Sequence, residues 1–431
     1  MLFADALRYL EEHASYEKTG RIESPSLDKT LRLLAVLDDP HKLFKIVHVT
    51  GTNGKGSTSQ IITKLLMAHG LRVGTYSSPH LEKINERLAI DGEAISDEEF
   101  GDAVASVADA EVLAGVRPSY FEIVTVAAFR WFADNAVDVG VIEVGMLGRW
   151  DATNVVNADV AVITNIALDH TEFAGPELSD IAREKAGIIK HDSSVVSGET
   201  RSSLVDIFRK ETSDQILIMD EDFSVLDNQL ALGGRLLHIR TQRGDFAELY
   251  LPLHGAHQGE NAAVALMAVE EFFRAPLHFE TVEEAFANVS MPGRFEIVGY
   301  QPLVILDGAH NPAGADVCAQ VFFEDFDPPG RRILIVGALQ GRDINDTLSA
   351  LRTDEFDLVI CCTAPSPRAR SGEEIALAAQ GLGCSDVVVE RSVQEACDRA
   401  VQDASSDDAI LIAGSLYVVG AARPHLRLIL P

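Results

Sequence analysis

Short apolar runs at 46–50, 72–77, 139–144, 160–166, 195–198 and 216–219 alternate with longer stretches whose apolar residues recur at helical spacing. Ile61, Ile62, Leu65 and Leu66 form one such amphipathic stripe. Alternation of this kind predicts βαβ units, hence a parallel sheet with helices on both faces. From about 223 to 253 the pattern changes to short alternating segments around Gly233-Gly234, which predicts an antiparallel β addition before a helix at 261–273. A second α/β block starts near 298, with strands expected at 304–306, 333–336, 358–361, 387–389 and 409–412, and a helix at 392–403. The fold class expected is therefore α/β: a P-loop-type parallel-sheet domain followed by a smaller Rossmann-like α/β domain. At 431 residues the chain is longer than one core usually supports. Pro292-Gly293 supplies a natural break, so we expect domains at 1–296 and 297–431.

The most informative loop lies between the run at 46–50 and the stripe at 61–67. It reads Gly51-Thr52-Asn53-Gly54-Lys55-Gly56-Ser57-Thr58. Glycines allow a tight turn that aims successive N–H groups at an anion, at the N-terminus of a helix. Lys55 can then reach the β- and γ-phosphates, and the hydroxyl of Ser57 or Thr58 can ligate Mg²⁺. The strict pattern, with the hydroxyl directly after the lysine, is not met, because Gly56 intervenes.

Further chemistry clusters at predicted strand ends, where open parallel sheets bind ligands. Glu143 closes the run at 139–144 and can face the phosphate loop as a metal carboxylate, or can simply finish a strand. Asp169-His170 follows the run at 160–166 and, from its chemistry alone, offers a general base. Asn261 can cap its helix or contact a ligand.

Composition narrows the partners. The net charge of −30 (36 basic against 66 acidic residues) disfavours nucleic acid and anionic membranes. It also means that local cations must attract an anionic nucleotide: Lys55, Arg87, Arg149 and Arg294 sit inside the motifs. No apolar run approaches the roughly 18–20 residues of a membrane span, and the N-terminus lacks the pattern of a secretory signal. Cys318, Cys361, Cys362, Cys384 and Cys397 show no metal-type pairing and read as reduced structural thiols of a cytoplasmic protein.

The loop Gly51-Thr52-Asn53-Gly54-Lys55-Gly56-Ser57 resembles the phosphate loop of the Mur ligase superfamily, specifically of folylpolyglutamate and dihydrofolate synthases. Further blocks follow in the family order. Glu143, Gly145, Gly148, Arg149, Asp151, Ala152, Thr153 and Asn154 match a family block from which Met146, Leu147 and Trp150 depart, Leu147 standing where the family has glycine. Ser78-Pro79-His80-Leu81 with Glu86-Arg87, Asp307-Gly308-Ala309-His310-Asn311, and Gly414-Ser415-Leu416-Tyr417 also resemble family blocks. Gly341-Arg342-Asp343 stands where the family usually has Asp-Lys-Asp.

The resemblance implies an ATP- and Mg²⁺-dependent ligase that adds L-glutamate to dihydropteroate, to folates or to both through an acyl phosphate. It implies that Glu143 and Ser57 hold Mg²⁺, that His170 holds a second metal ion, and that Lys185 is carbamylated. Lys55, Lys185 and His170 are thereby the catalytic candidates. Asn261, Arg294 and Asp307 join residues 51–58 as nucleotide contacts. Ser78, Pro79, His80, Arg87, Arg149, Asp151, His310 and Ser415 line the substrates. The partners expected are small molecules (ATP, dihydropteroate or folates, and L-glutamate), with no nucleic acid, no membrane and a monomeric chain. Two alternatives stand beside this reading: a Mur-type ligase acting on a UDP-muramoyl substrate, and a non-catalytic nucleotide-binding module.

Overall fold

The computed structural model describes residues 1–20, 26–212, 214–341 and 343–430. These form two compact units, one of residues 1–16, 26–252 and 258–289, the other of residues 17–20, 253–257 and 290–430.

The first unit is built on strands β1 (Lys45–Thr50), β2 (Val73–Tyr76), β3 (Leu88–Ile90), β4 (Glu93–Ala94), β5 (Val139–Glu143), β6 (Val160–Ile163), β7 (Ser194–Ser197) and β8 (Ile216–Ile218). Their order across the sheet is β4-β3-β2-β5-β1-β6-β7-β8. All pairings are parallel except those of β3 with β2 and of β4 with β3. Every residue of β1 after Lys45 is buried, so the strand is covered on both faces, as the continuous apolar run requires. Ile46, Tyr76 and Ile142 share one core with the helices Asp97–Ala114 and Tyr120–Asp134. Both helices begin with a capping box, Ser96 with Glu99 and Ser119 with Glu122. A second core buries Ala161, Ile163 and Val195 with the helices Leu178–Ala186 and Ser202–Phe208.

Strands β9 (Ser224–Ala231), β10 (Gly234–Arg240) and β11 (Asp245–Leu251) form the antiparallel addition expected from the alternating pattern. The helix after it spans His257–Phe273.

The second unit carries a sheet of order β12-β13-β17-β14-β15-β16. Its strands are β12 (Glu296–Tyr300), β13 (Leu303–Leu306), β14 (Arg332–Val336), β15 (Leu358–Cys362), β16 (Val387–Glu390) and β17 (Ala409–Ala413). Only β12 pairs antiparallel. All five cysteines are buried free thiols in this unit, and burial pushes those of Cys361 and Cys397 up to about 12.

No helix among the described residues is long and apolar enough to cross a membrane.

Candidate active site

The central strand β1 leads into the glycine loop, and the helix Lys55–Ala68 leaves it. Connections from β1 and from β5 diverge to opposite sides of the sheet, so the loop sits at a switch point, where open α/β sheets bind ligands. Register puts Val49 level with Glu143 on one side and Thr50 level with Ile163 on the other.

Two glycines of the loop are required by geometry. A Cβ on Gly51 (φ 153°) would lie 1.8 Å from Thr164 Oγ1, and one on Gly54 (φ 81°) would lie 2.3 Å from Asn261 Oδ1. Asn261 thus packs directly against the loop; Thr58 Oγ1 donates to its Oδ1 (3.5 Å), and its own amide donates to Gln258 (3.0 Å).

The segment after β6 forms the other wall of the loop. The N–H groups of Thr52 and Asn53 donate to the backbone oxygen and the side-chain oxygen of Asn165 at 3.0 and 2.9 Å. Thr164 Oγ1 donates to the Asn53 carbonyl (2.6 Å), and Thr52 Oγ1 both donates to and accepts from the backbone of Ala167. Thr164 and Asn165 were not among the residues singled out from sequence. Their only signal is a polar pair at the end of an apolar run.

Two lysines converge on one carbonyl. Lys55 Nζ lies 3.1 Å from Gly51 O and 3.2 Å from Thr52 O, and Lys185 Nζ lies 2.7 Å from Gly51 O. Lys185 is 3% exposed. Burial first, then the neighbouring Lys55 charge, hold its ammonium well below the usual lysine range, while Asp169 and Asp151 pull the other way. Lys185 is therefore far readier than a surface lysine to lose its proton.

Glu143, the last residue of β5, is buried and accepts from Ser78 N–H at 3.3 Å. Ser57 is buried in the first turn of its helix. His170 adopts a left-handed backbone (φ 54°), with Nε2 3.8 Å from Asp169 and Nδ1 3.4 Å from the Tyr16 hydroxyl. Tyr16 also packs edge-on against His170 and Phe173. No three His, Cys, Asp or Glu side chains gather into a metal cluster among the described residues.

The loop after Glu143 keeps a left-handed residue where the resembling family has glycine. Leu147 sits at φ 57°, with its carbonyl held by Thr50 Oγ1 at 2.6 Å and its side chain in the second core. The positive φ costs about 1–2 kcal/mol for a residue with a Cβ, which leucine burial offsets. Asp151 anchors the loop's far end: it accepts from Met146 N, Thr153 N and Thr153 Oγ1 at 2.9, 3.0 and 2.6 Å. Thr153 Oγ1 in turn meets the buried His48 of β1 at 2.9 Å. Arg149 pairs with Glu211 and donates to Arg183 O. Both of these candidate substrate residues are thus engaged in holding loops.

Ser78 and Pro79 are joined by a cis peptide bond. Glu86 organises the segment that follows, accepting the N–H groups of Leu81, Glu82 and Lys83 at 2.7, 3.1 and 2.9 Å. His80 Nδ1 accepts from Arg87 Nε (2.9 Å), and the fully buried Arg87 lies over the Tyr120 ring at 5.4 Å.

In the second unit the candidates gather at strand ends. Asp307 follows β13 and accepts from Phe295 N and Ala309 N at 2.9 and 2.8 Å. Burial raises its carboxyl above the ordinary value, against the pull of Arg294. Arg294 lies against Gly308, where a Cβ would meet its guanidinium at 2.7 Å. His310 Nδ1 meets Gly308 O at 2.8 Å. Ser415 follows β17 and caps the helix Leu416–Ile429 by accepting from Tyr417 N (3.2 Å). A small cavity at these strand ends is lined by His310, Ala338, Leu339, Asp343, Thr347 and Gly414. Arg342 lies outside the described residues, while Asp343 caps the helix Ile344–Ala350.

Comparison with known proteins gives the following. The profile of the Mur ligase middle domain matches residues 49–269, and that of the Mur ligase glutamate ligase domain matches residues 293–416. The chain is 38% identical to the dihydrofolate synthase/folylpolyglutamate synthase of Mycobacterium tuberculosis, over 93% of this chain and 89% of that one. It is 35% identical to a probable bifunctional folylpolyglutamate synthase/dihydropteroate synthase of Haloferax volcanii over 93% of this chain, but spans only 48% of that relative's length. A solved structure of the M. tuberculosis folylpolyglutamate synthase complexed with ADP and AMPPCP superposes with a TM-score of 0.90 at 36% identity, covering 98% of this chain and 97% of the other. A bifunctional folylpolyglutamate synthase/dihydrofolate synthase with Mn, AMPPNP and L-glutamate bound superposes with a TM-score of 0.86 at 32% identity, covering 99% and 98%.

Proposed function

The chain belongs to the dihydrofolate synthase/folylpolyglutamate synthase family of Mur ligases, and on that premise we propose that it uses ATP to join L-glutamate to dihydropteroate, to folates or to both. The observation that carries this reading is the phosphate loop, seated at the switch point with a buried carboxylate on one side and a buried lysine on the same loop carbonyl as Lys55. ADP, AMPPCP and AMPPNP in the solved relatives support a nucleotide at this loop.

Within the loop 51–58, the N–H groups of residues 54–57 at the positive end of the helix Lys55–Ala68 cradle the triphosphate, while those of Thr52 and Asn53 hold the loop to Asn165. Lys55 leaves its loop carbonyls to meet the β- and γ-oxygens. The acceptor's carboxylate oxygen attacks the γ-phosphorus, the bond to the β-bridging oxygen breaks, and ADP departs. The resulting acyl phosphate has a good leaving group that the carboxylate lacks. The neutral α-amino group of glutamate adds to its carbonyl carbon, phosphate leaves, and the nitrogen sheds a proton to give the amide. No side-chain nucleophile is needed, since positioning supplies about 7–11 kcal/mol of such a barrier. Arg294 and Asp307 are assigned to the nucleotide, Ser415 to glutamate, and Ser78, His80, Arg87 and His310 to the substrate region. Arg149 and Asp151 serve these through the loop they hold.

The donor set fits a hard divalent cation. Glu143 offers a carboxylate and Ser57 a hydroxyl, and Mg²⁺ commonly takes one or two protein ligands beside phosphate oxygens and waters. Once bound, the cation neutralises charge on the phosphates. His170 is assigned to a second ion, which its Nε2 would hold while Nδ1 faces the Tyr16 hydroxyl. We assign Lys185 a carbamate: its ammonium first gives up a proton, the neutral amine attacks CO₂, a nitrogen–carbon bond forms, a second proton is lost, and the side chain is an anion where it had been a cation. Buried free thiols support a cytoplasmic setting. The mechanism is tested by following heavy oxygen from a labelled acceptor carboxylate. Its appearance in released phosphate supports the acyl phosphate; phosphate that carries none refutes it.

A further inference from the structure

Ile166 lies between two residues that bond the phosphate loop, and both of its own backbone groups are taken by side chains. Its N–H donates to Glu199 Oε2 at 3.1 Å, and its carbonyl accepts from Arg201 Nη2. The two side chains are locked to each other: Arg201 Nε donates to Glu199 Oε1 (2.7 Å) and Nη2 to Oε2 (2.6 Å), while Arg201 N–H adds a bond to Oε1 (2.9 Å). Glu199 is itself fixed, since Ser197 Oγ donates to its carbonyl and accepts its N–H at 3.0 and 3.1 Å. A Cβ on the adjoining Gly198 would lie 2.3 Å from Thr164 O, so the two segments run in direct backbone contact.

We propose that Glu199 and Arg201 are positioning residues for the nucleotide site: they fix Ile166, and through Asn165 and Ala167 they set the path of the phosphate loop. This rests on the nucleotide reading of that loop. An exposed ion pair contributes little to stability, but here the Glu199 side chain is 4% exposed against 48% for Arg201. Beyond their bonds to each other, the two side chains take up the N–H and the carbonyl of a single unit of the chain, residue Ile166. That unit's neighbours hold Thr52 and Asn53, whose N–H groups set the loop. Loss of the guanidinium leaves the Ile166 carbonyl without its donor and lets the wall of the loop relax.

Calorimetric titration with ADP tests this on the wild-type protein, Arg201→Ala, Arg201→Lys and a control, Arg209→Ala, whose arginine pairs on the surface with Asp206. Arg201→Ala is expected to weaken ADP about 10-fold, matching the low end of the roughly 10–100-fold that losing an outer partner costs at metal sites. The KM for glutamate should stay unchanged, and added guanidinium ion should recover part of the affinity. Arg201→Lys keeps the charge beside Glu199 but cannot also bridge to the carbonyl, so it loses affinity by less; Arg209→Ala matches wild type. Wild-type affinity in Arg201→Ala overturns the proposal, as does an equal rise in the glutamate KM. Should Arg201→Ala not fold, wild-type affinity in Arg201→Lys overturns it. Wild-type protein that binds no ADP refutes the nucleotide reading, and the proposal falls with it.

Discussion

Gly51→Ala adds one methyl group at the most crowded point of the phosphate loop. The new Cβ would stand 1.8 Å from Thr164 Oγ1, 3.0 Å from Thr164 Cβ and 3.2 Å from Asn165 N. Separating it from the hydroxyl takes a shift on the order of an ångström, and every direction of escape breaks something. Rotating Thr164 forfeits its 2.6 Å bond to Asn53 O, worth about 1 kcal/mol net. Moving the loop instead pulls Thr52 and Asn53 off Asn165 and shifts the carbonyl that Lys55 and Lys185 share. Alanine must also adopt φ near 153°, a conformation that costs about 1–3 kcal/mol outside glycine. The sum is a destabilisation of about 2–4 kcal/mol, within reach of a protein that still folds. Turnover suffers more, because a 1 Å misplacement of reacting groups costs on the order of 10²-fold. Thermal unfolding read beside ADP-release kinetics separates the two effects. The double variant Gly51→Ala/Thr164→Ala removes the 1.8 Å contact and should regain stability while remaining slow, since Asn53 O has lost its donor. A single Gly51→Ala variant with near wild-type stability and turnover would refute the loop geometry argued above.

Lys55→Ala should abolish ligation with the circular dichroism spectrum unchanged, and Glu143→Gln should weaken Mg²⁺ dependence and turnover together, because an amide is a poor ligand for a hard cation; an unaltered Mg²⁺ titration would remove Glu143 from the site. Lys185→Ala should lose most activity and regain part with acetate or formate, while Lys185→Arg fails equally because it cannot be carbamylated; a working arginine variant would show the position needs only a cation. Burial holds the His48 imidazole at about 3 against 6.5 for the free side chain, so the unfolded chain binds a proton that the fold refuses. Stability should therefore fall as pH drops from 6.5 toward 3, by on the order of 4 kcal/mol from this group, and His48→Gln, followed by denaturant unfolding, should lose that part of the slope; identical pH profiles would contradict it. Ellman's reagent should find no reactive thiol in the native protein and all five after unfolding.

The parallel sheets are legible in the sequence because their strands are buried on both faces, which leaves continuous apolar runs. The same signal overshoots at 160–166: β6 ends at Ile163, and the run continues only because Ile166 is buried in a segment that leaves the sheet to line the phosphate loop. The edge strands β4 and β12, and β3 beside β4, escape notice because they are short or half-buried. The loop at 51–58 is legible because tight turns, anion contacts and a helix start each demand particular residue types in that order. Its supports are not. Asn165 and the Glu199–Arg201 pair act through backbone groups brought near by folding, and a lone asparagine or Glu-x-Arg carries no period or spacing that announces such a role. Leu147 makes the converse point: a departure from glycine in the sequence leaves the positive φ intact, because Thr50 and the surrounding core hold the chain there.

The central claim is the ligation itself. Wild-type protein incubated with ATP, Mg²⁺ and L-glutamate, and with dihydropteroate or a reduced folate in separate reactions, should yield by mass spectrometry an acceptor heavier by one glutamyl residue, with one ADP released per amide formed and none beyond background when either glutamate or acceptor is omitted. Acceptors recovered unchanged beside ADP release that ignores glutamate, or conversion of a UDP-muramoyl acceptor instead, would contradict the account.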